Sequence, residues 1–215
     1  MIGYVLKQVP NLFLMAYLLE KQQRKLVLFS GPRHSGKDTA ANRCRESFGA
    51  HLFKMSAPNK AAIRAIFELE DVDVDYLESV KTLNDDVLFG TSYVRAQISF
   101  SEDWMKPFLG VDIFGRLAAR RLRKVIDASP TQGLFCCSDS GFVEEAFPVM
   151  ELFGKKNTLL VKLAREGKTF EGDSRSYIDL PGVATCWLQN DDKDSYLQAV
   201  DDLVGSFLAG EPCPF

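Results

Sequence analysis

The sequence predicts an α/β fold, a three-layer sandwich in which helices cover both faces of a parallel sheet. Apolar runs of strand length alternate along the chain with helical segments whose apolar residues recur every three or four positions. The length of 215 residues suits one such domain. The predicted strands are residues 25–30, 51–55, 133–139, 158–163 and 183–188, and the predicted helices are residues 38–48, 57–67, 113–127, 142–153 and 193–208.

Local patterns mark the individual elements. The first helix ends at Gly49, a residue typical of helix C-termini, and the segment Ala57-Pro58-Asn59 opens the second helix. Residues 70–90 are rich in aspartate and show no strand pattern, so we predict an exposed, mostly helical and irregular insert there. Residues 165–181 are polar and interrupted by glycine, which predicts a mobile loop.

The composition excludes several classes of function. The net charge is −3 and no long basic run is present, so we expect no nucleic acid polymer as a partner. The apolar run Leu12–Leu19 is too short to span a bilayer, and its flanking charges do not suit a signal peptide. We therefore predict a cytoplasmic protein with no membrane partner, in which residues 1–24 form a helical extension. The five cysteines lack metal-binding spacing and are expected to be reduced.

The most specific motif is the segment Gly31–Thr39, which lies between the first strand and the first helix. Gly31 and Gly36 permit backbone angles that let successive N–H groups converge on a phosphate, and the helix N-terminus adds positive potential. Lys37 can reach the outer phosphates of a nucleotide. The alternative is a tight turn that carries a lysine by chance. The preceding strand and the register of both glycines favour a phosphate-binding loop.

Asp139 lies at the end of a predicted strand, at the edge of the parallel sheet where ligands bind. An acid there can hold a Mg²⁺-bound water or orient an attacking phosphate. It could instead cap the helix that follows.

Several cations could surround a phosphoryl group. Arg165 follows the next strand and Arg175 lies in the polar loop, where arginines can neutralise charge and exclude water. The alternative is that both are solvated surface residues. Lys60 and Arg64 lie one turn apart on the second helix and could hold a second phosphate. Further candidates are Arg95 and Arg116.

The form Gly-Lys-Asp-Thr at residues 36–39 resembles the phosphate loop of the deoxynucleoside monophosphate kinases of bacteriophages, members of the P-loop nucleoside monophosphate kinase superfamily. The resemblance covers roughly residues 25–205. The other segments that carry it are residues 56–60, residues 108–112, which resemble a Leu-Gly-Thr-Asp element, and residues 137–146, which resemble a Ser-Asp-x-Arg-Phe-x-x-Glu element.

The resemblance implies one kinase domain over residues 25–215, with an acceptor-side helical insert at about 57–112 and a lid at about 165–181. It implies ATP-dependent phosphorylation of a (deoxy)nucleoside 5′-monophosphate to the diphosphate, with ATP and Mg²⁺ as cofactors. The partners would be ATP and the monophosphate, and the chain could form a homodimer.

The motifs and the resemblance together define the expected site. The catalytic residues are Lys37, Asp139, Arg165 and Arg175, and Mg²⁺ is held through water by Asp38 and Asp139. The nucleotide-binding residues are Gly31, His34, Ser35, Gly36, Lys37, Asp38, Thr39 and Asn190. The acceptor-binding residues are Lys60, Arg64, Arg95, Asp112 and Arg116.

Two positions depart from the family pattern. Asp103 stands near the place of an expected arginine, and Gly141 replaces the arginine of the Ser-Asp-x-Arg element. Both changes remove positive charge from the acceptor or transfer site. Two alternatives therefore stay open: a P-loop kinase for another small phosphorylated metabolite, and a nucleotide-binding protein that has lost transferase activity.

Overall fold

The computed structural model describes residues 24–213, in which a parallel sheet is the central element. In chain order the strands are β1 (Lys25–Ser30), β2 (His51–Phe53), β3 (Asn84–Asp85), β4 (Thr91–Ser92), β5 (Leu134–Cys137), β6 (Thr158–Ala164) and β7 (Ala184–Gln189). Five of them form the sheet in the order β2-β5-β1-β6-β7, and every neighbouring pair is parallel. Strands β3 and β4 form a separate antiparallel hairpin.

The helices are α1 (Lys37–Phe48), α2 (Ala57–Ile66), α3 (Asp71–Ser79), α4 (Tyr93–Ile98), α5 (Lys106–Leu109), α6 (Ile113–Ala128), α7 (Val143–Phe153) and α8 (Lys193–Ala209). A π-helix, Ser99–Met105, joins α4 to α5. Short 3₁₀ turns cover Asp86–Leu88 and Lys155–Asn157.

Strand β1 explains why helices cover both faces of the sheet. Leu26 and Leu28 pack into one apolar cluster with α6 and α7, whereas Val27 and Phe29 pack into a second cluster with α1 and α8. Successive side chains of a strand point to opposite faces, so an apolar run must be covered twice. The predicted three-layer α/β fold is confirmed.

The segment between α2 and α5 has a small apolar core of its own. Ile63 on α2 packs with Leu69, Leu77, Leu88 and Tyr93, all of them buried. This insert lies beyond the carboxyl end of β2, so it stands beside the edge of the sheet where ligands bind in such folds.

Some predicted boundaries differ from the structure. The strand expected at 51–55 ends at Phe53, and the strand expected at 133–139 ends at Cys137, so Asp139 lies in the following loop. The expectation of no strand within 70–90 was wrong, because the β3–β4 hairpin begins there. Phe89 and Gly90 adopt positive φ angles of 52° and 82°, which turns the chain back on itself.

The cysteine prediction holds for three residues and fails for two. Cys44, Cys136 and Cys137 are buried free thiols, whereas Cys186 of β7 forms a disulfide bond with Cys213. The two partners are 27 residues apart, and their spacing carries no motif that would predict the bond.

The helical extension predicted for residues 1–24 lies, except for Arg24, outside the described residues. Between residues 24 and 213, no helix is both long enough and apolar enough to cross a membrane.

Candidate active site

The turn between β1 and α1, which the sequence predicts to bind phosphate and which we call the phosphate loop, requires glycine at two positions. Gly36 adopts a φ of 101°, which an L side chain rarely tolerates. A Cβ atom at Gly31 would lie 2.7 Å from the carbonyl oxygen of Leu163, so this position also requires glycine. The Lys37 ammonium folds back over the loop and donates to the carbonyl oxygens of Gly31 at 2.7 Å and Pro32 at 2.5 Å.

Burial, together with the nearby positive charge of Arg175, lowers the pKa of Lys37 from 10.5 to about 8. The acids Asp38, Asp173 and Asp139 oppose this shift but do not cancel it. A desolvated ammonium that is bound only to carbonyl groups lacks a full counter-charge. The site is therefore prepared to receive an anion.

Two side chains, one directly after β7 and one on α8, form hydrogen bonds with the backbone of the phosphate loop. Asn190, directly after β7, donates to the carbonyl oxygen of Ser35 at 2.9 Å, and the Tyr196 hydroxyl donates to the carbonyl oxygen of Gly36 at 3.0 Å. The buried Ser35 hydroxyl has no hydrogen-bond partner in the described part of the chain. Asn190, predicted as a nucleotide ligand, thus contacts the loop itself.

Two acids lie near the start of α1. Asp38 accepts hydrogen bonds from Lys54 at 2.7 Å and from the Ser138 hydroxyl at 2.7 Å. Burial would raise the pKa of Asp38, but the hydrogen bonds from Lys54 and Ser138 outweigh it and keep the pKa below its usual value. The Asp38 carboxylate is therefore ionised and anchored.

Asp139 accepts hydrogen bonds from the backbone N–H groups of Met55 at 2.9 Å and Ser56 at 3.0 Å, and from the Ser56 hydroxyl at 2.7 Å. It does not cap α7, whose N-cap is Phe142. Asp139 thus fixes the loop between β2 and α2 beside the phosphate loop.

No group of three or more metal-ligating side chains is found among residues 24–213. Mg²⁺ commonly takes one or two carboxylates, water and substrate phosphates. Asp38 and Asp139 are the carboxylates beside the phosphate loop that could hold water ligands of such an ion.

Arginines from the loop at residues 165–181 lie over the phosphate loop. Arg165 donates to the carbonyl oxygen of His34 at 3.1 Å. Asp173 holds Arg175 through two side-chain hydrogen bonds of 2.9 and 2.6 Å, and also accepts from Arg33 at 3.2 Å. Burial alone would raise the pKa of Asp173, but Arg175 and then Arg33 lower it to about 2. One carboxylate thus bridges two guanidinium groups.

Gly141 makes room for Arg175. A Cβ atom at Gly141 would lie 2.5 Å from Cδ and 2.7 Å from Cγ of Arg175. The arginine that the family pattern places at residue 141 is absent, and the stem of Arg175 passes over that position instead. Positive charge therefore reaches this part of the site from a different loop.

These groups surround one cavity of about 700 Å³ at the carboxyl edge of the sheet. The predicted residues that line it are His34, Gly36, Lys37, Asp38, Thr39, Lys60, Asp139, Arg165, Arg175 and Asn190. Gly31 and Ser35 lie in the wall of the phosphate loop behind them.

Four predicted acceptor residues are not brought to this cavity. Arg64 pairs with Asp71 at 2.6 Å, Arg116 pairs with Asp112 at 3.1 Å, and Arg95 is exposed. Lys60 does line the cavity, where it forms an ion pair with Glu78. The cations expected around the acceptor are thus fewer than the sequence indicated.

The opposite end of the cavity contains Asn59, Glu102 and Glu145, to which the sequence assigned no role, although Asn59 and Glu145 lie in two of the segments that carry the family resemblance. Burial raises the pKa of Glu145 to about 7, although its ion pair with Lys106 opposes the shift. Glu145, Val149 and Phe153 recur at four-residue spacing on α7. Two signals for a buried carboxyl group were available: an acid within such an apolar stripe, and the position of Glu145 as the glutamate of the Ser-Asp-x-Arg-Phe-x-x-Glu element.

No protein-family model and no curated protein matches the chain. Among solved structures, an unliganded sugar kinase from Janibacter sp. HTCC2649 is 13% identical, with a TM-score of 0.46 over 87% of this chain and 98% of that chain. A “putative kinase” from Chloroflexus aurantiacus j-10-fl is 12% identical, with a TM-score of 0.45 over 86% and 98%. At this distance the two neighbours say nothing about the substrate of the present chain.

Proposed function

We propose that this protein is a phosphate-loop kinase that transfers the γ-phosphoryl group of Mg·ATP to a (deoxy)nucleoside 5′-monophosphate. The observation that carries the proposal is one continuous cavity, about 700 Å³ in volume, lined by Lys37, Arg175 and Glu145. Phosphoryl transfer requires a donor site, an acceptor site and positive charge between them, because the moving group spreads negative charge over its oxygens.

The donor site is assigned to the phosphate loop. Lys37 would exchange the two loop carbonyls for the β- and γ-phosphates, which the loop N–H groups also bind. Thr39 would hold the α-phosphate. The bound Mg²⁺ supplies charge neutralisation between the phosphates, and Asp38 and Asp139 would orient its water ligands.

The transfer step is assigned to Arg165 and Arg175. Both line the cavity, and Arg175 is held by Asp173 together with Arg33. A phosphoryl oxygen could replace the Asp173 carboxylate between these guanidinium groups, because both anions accept the same bidentate hydrogen bonds. The guanidinium groups would then stabilise the negative charge of the phosphoryl group throughout its transfer from donor to acceptor.

The acceptor phosphate is assigned to Lys60, which would leave Glu78 on binding. No acceptor role is assigned to Arg64, Arg95, Asp112 or Arg116, which do not line the cavity.

A coupled assay of ADP release, run with each common ribo- and deoxyribonucleoside monophosphate, tests the proposal. We expect turnover that depends on a monophosphate and that falls by about a hundredfold or more in Lys37→Ala, because its ammonium stabilises the transferred charge. Lys124→Ala removes an exposed lysine of α6 and serves as the matched control with native turnover. Absence of turnover with every monophosphate, from protein that still binds ATP, would contradict the proposal.

One observation favours a second candidate, a P-loop kinase for another small metabolite. The carboxylates Glu78, Glu102 and Glu145 line the acceptor side, and its lysine Lys60 is already paired. An acceptor that carries less negative charge than a nucleotide would suit that balance. Turnover with phosphorylated sugars or alcohols, and none with nucleotides, would select this candidate.

A further inference from the structure

Hydrogen-bond acceptors are concentrated where the insert meets α7. Lys106 binds Glu102 at 2.8 Å and Glu145 at 3.1 Å, so one ammonium group serves two carboxylates. The side chains of Lys106 and Glu145 are 8% and 7% exposed. A carboxylate has about four lone-pair sites, so the three protons of one ammonium leave most of this accepting capacity unused.

Asn59 adds an acceptor that has no partner. Its amide nitrogen donates to the backbone oxygen of Gln97 at 2.9 Å, which fixes the orientation of the side chain. Its Oδ1 atom is buried and accepts no hydrogen bond from residues 24–213, although the residue lines the cavity and is only 6% exposed. A buried acceptor without a partner is costly unless a ligand supplies the donor.

The π-helix contributes Glu102 to the same side of the cavity that Asn59 and Glu145 line. Ser101, in its first turn, donates to Glu102 at 2.8 Å, and Gln97 lies one turn earlier on α4. Phe114 and Phe142 supply aromatic surface to the same cavity, and Lys106 lies 3.5 Å from the centre of the Phe142 ring. Aromatic walls beside fixed polar groups are typical of a site for a planar ring.

We infer that this end of the cavity binds the base of the acceptor nucleotide and selects bases with an exocyclic amino group over thymine and uracil. The inference rests on the proposed function. Adenine, cytosine and guanine each present an amino group that can donate to Asn59 Oδ1 or to the glutamates. Thymine and uracil present a single N–H between two carbonyl oxygens, so when the N–H donates to one acceptor at this end of the cavity, a carbonyl oxygen faces another acceptor. A site that leaves polar groups unpaired discriminates strongly against the wrong ligand.

The native protein provides the main test. With saturating Mg·ATP at about pH 8, where Glu145 with its pKa of about 7 is mostly ionised and accepts only, we expect kcat/KM for the best of dAMP, dCMP and dGMP to exceed that for dTMP and dUMP by at least about tenfold, which corresponds to one lost hydrogen bond. Equal use of dTMP or dUMP would overturn the inference and leave the proposed kinase function intact.

A binding measurement separates the inference from the proposed function. Isothermal titration of the same five monophosphates, with a non-hydrolysable ATP analogue present, should give the same order of affinity. If amino-bearing monophosphates bind preferentially and none turns over, the inference stands and the kinase proposal fails. If none binds, or if dTMP binds as tightly as the others, the inference fails.

A pair of adjacent glutamates gives a matched comparison. Glu145→Gln replaces a carboxylate oxygen with an N–H donor and should reduce the preference for amino-bearing bases by about fivefold or more. Glu144 is exposed on α7, so Glu144→Gln should keep the native preference. An unchanged preference in folded Glu145→Gln would overturn the assignment. If that variant does not fold, Glu102→Gln, at a side chain that is 34% exposed, replaces it with the same expectation.

Discussion

In the free protein, burial and the nearby Arg175 disfavour the charged form of Lys37. Burial and the charge of Arg175 lower its pKa to about 8. In the free protein at about pH 9, most molecules therefore carry a neutral Lys37 side chain. Phosphates would restore the ammonium form, because a nearby negative charge raises the pKa of a lysine. We predict that Mg·ATP binding takes up nearly one proton at about pH 9 and almost none at about pH 7.

Calorimetry in two buffers with different ionisation enthalpies measures this proton uptake directly. The apparent binding enthalpy should differ between the buffers at the higher pH and agree at the lower one. Buffer-independent enthalpies at both values would show that Lys37 does not meet the phosphates. Lys37→Ala, if it retains weak binding, should show no buffer dependence.

Asp173 should stabilise the fold as well as position Arg175. Its pKa is lowered from 3.8 to about 2, so its contribution is present above pH 3.8 and is lost as the pH falls towards 2. Because its side chain is only 6% exposed, we predict that Asp173→Asn lowers the free energy of unfolding by about 2 kcal/mol at pH 7. The difference from the native protein should shrink as the pH approaches 2.

Chemical denaturation across this pH range provides the measurement. Asp179 of the same loop is the control, because it also forms an ion pair, in its case with Lys162, but its side chain is 84% exposed. Asp179→Asn should cost less than about 1 kcal/mol. Equal costs for the two variants at pH 7 would contradict the account of Asp173.

The sequence predicted Lys37 and the glycines of the phosphate loop because their chemistry depends on neighbours along the chain. It gave no role to Asp173, and for Glu145 it gave only a place in the Ser-Asp-x-Arg-Phe-x-x-Glu element, because the contacts of both residues are made with residues far away. Asp173 meets Arg33 across 140 positions, and Glu145 meets Lys106 across two separate helices. Such pairs become visible only after the chain has folded.

At the scale of elements, the loop at residues 165–181 is more firmly placed than its polar sequence suggested. Ile178 and Leu180 are 1% and 4% exposed and join the apolar core, and the Tyr177 hydroxyl donates to the carbonyl oxygen of Leu163 at 2.9 Å. These anchors hold the part of the loop that follows Arg175. The loop after β5 meets it at Gly141, where no side chain fits.

This contact predicts the effect of a single added methyl group. Gly141→Ala would displace the stem of Arg175, and we expect kcat to fall by about tenfold or more while ATP affinity changes less. Gly205→Ala on α8 is the control, since among residues 24–213 no atom outside the adjoining residues and backbone of its own helix lies within 4 Å of the added Cβ, and it should keep native turnover. Steady-state kinetics on both variants gives the measurement. Native kcat in Gly141→Ala would show that Arg175 does not act on the transferred group.

The spacing of apolar residues predicted the helices and the long strands, because each of these elements buries one or both of its faces against the core. The prediction missed the π-helix at Ser99–Met105 and the two-residue strands, because neither is long enough to show a repeat. It also did not predict that Ile178 and Leu180 fix the loop at 165–181 to the core, because two isolated apolar residues in a polar segment form no repeat.

At the scale of the whole molecule, the doubly covered sheet brings distant segments to one edge. The phosphate loop follows β1, Asp139 follows β5, Arg165 follows β6 and Asn190 follows β7, and all of them line the same cavity. Parallel strands that end at one edge produce this convergence, so the sequence could predict where the site lies. The composition of the acceptor end, built by the insert, could not be predicted because the insert folds around its own small core.

The central claim is phosphoryl transfer from ATP to a nucleoside monophosphate, and ATP labelled at the γ-phosphorus tests it most directly. After incubation with Mg²⁺ and each monophosphate, chromatography shows where the label resides. The account predicts label in a (deoxy)nucleoside diphosphate, at a rate that Lys37→Ala reduces by about a hundredfold or more. Label that stays in ATP with every monophosphate, or that appears only as inorganic phosphate, would contradict it.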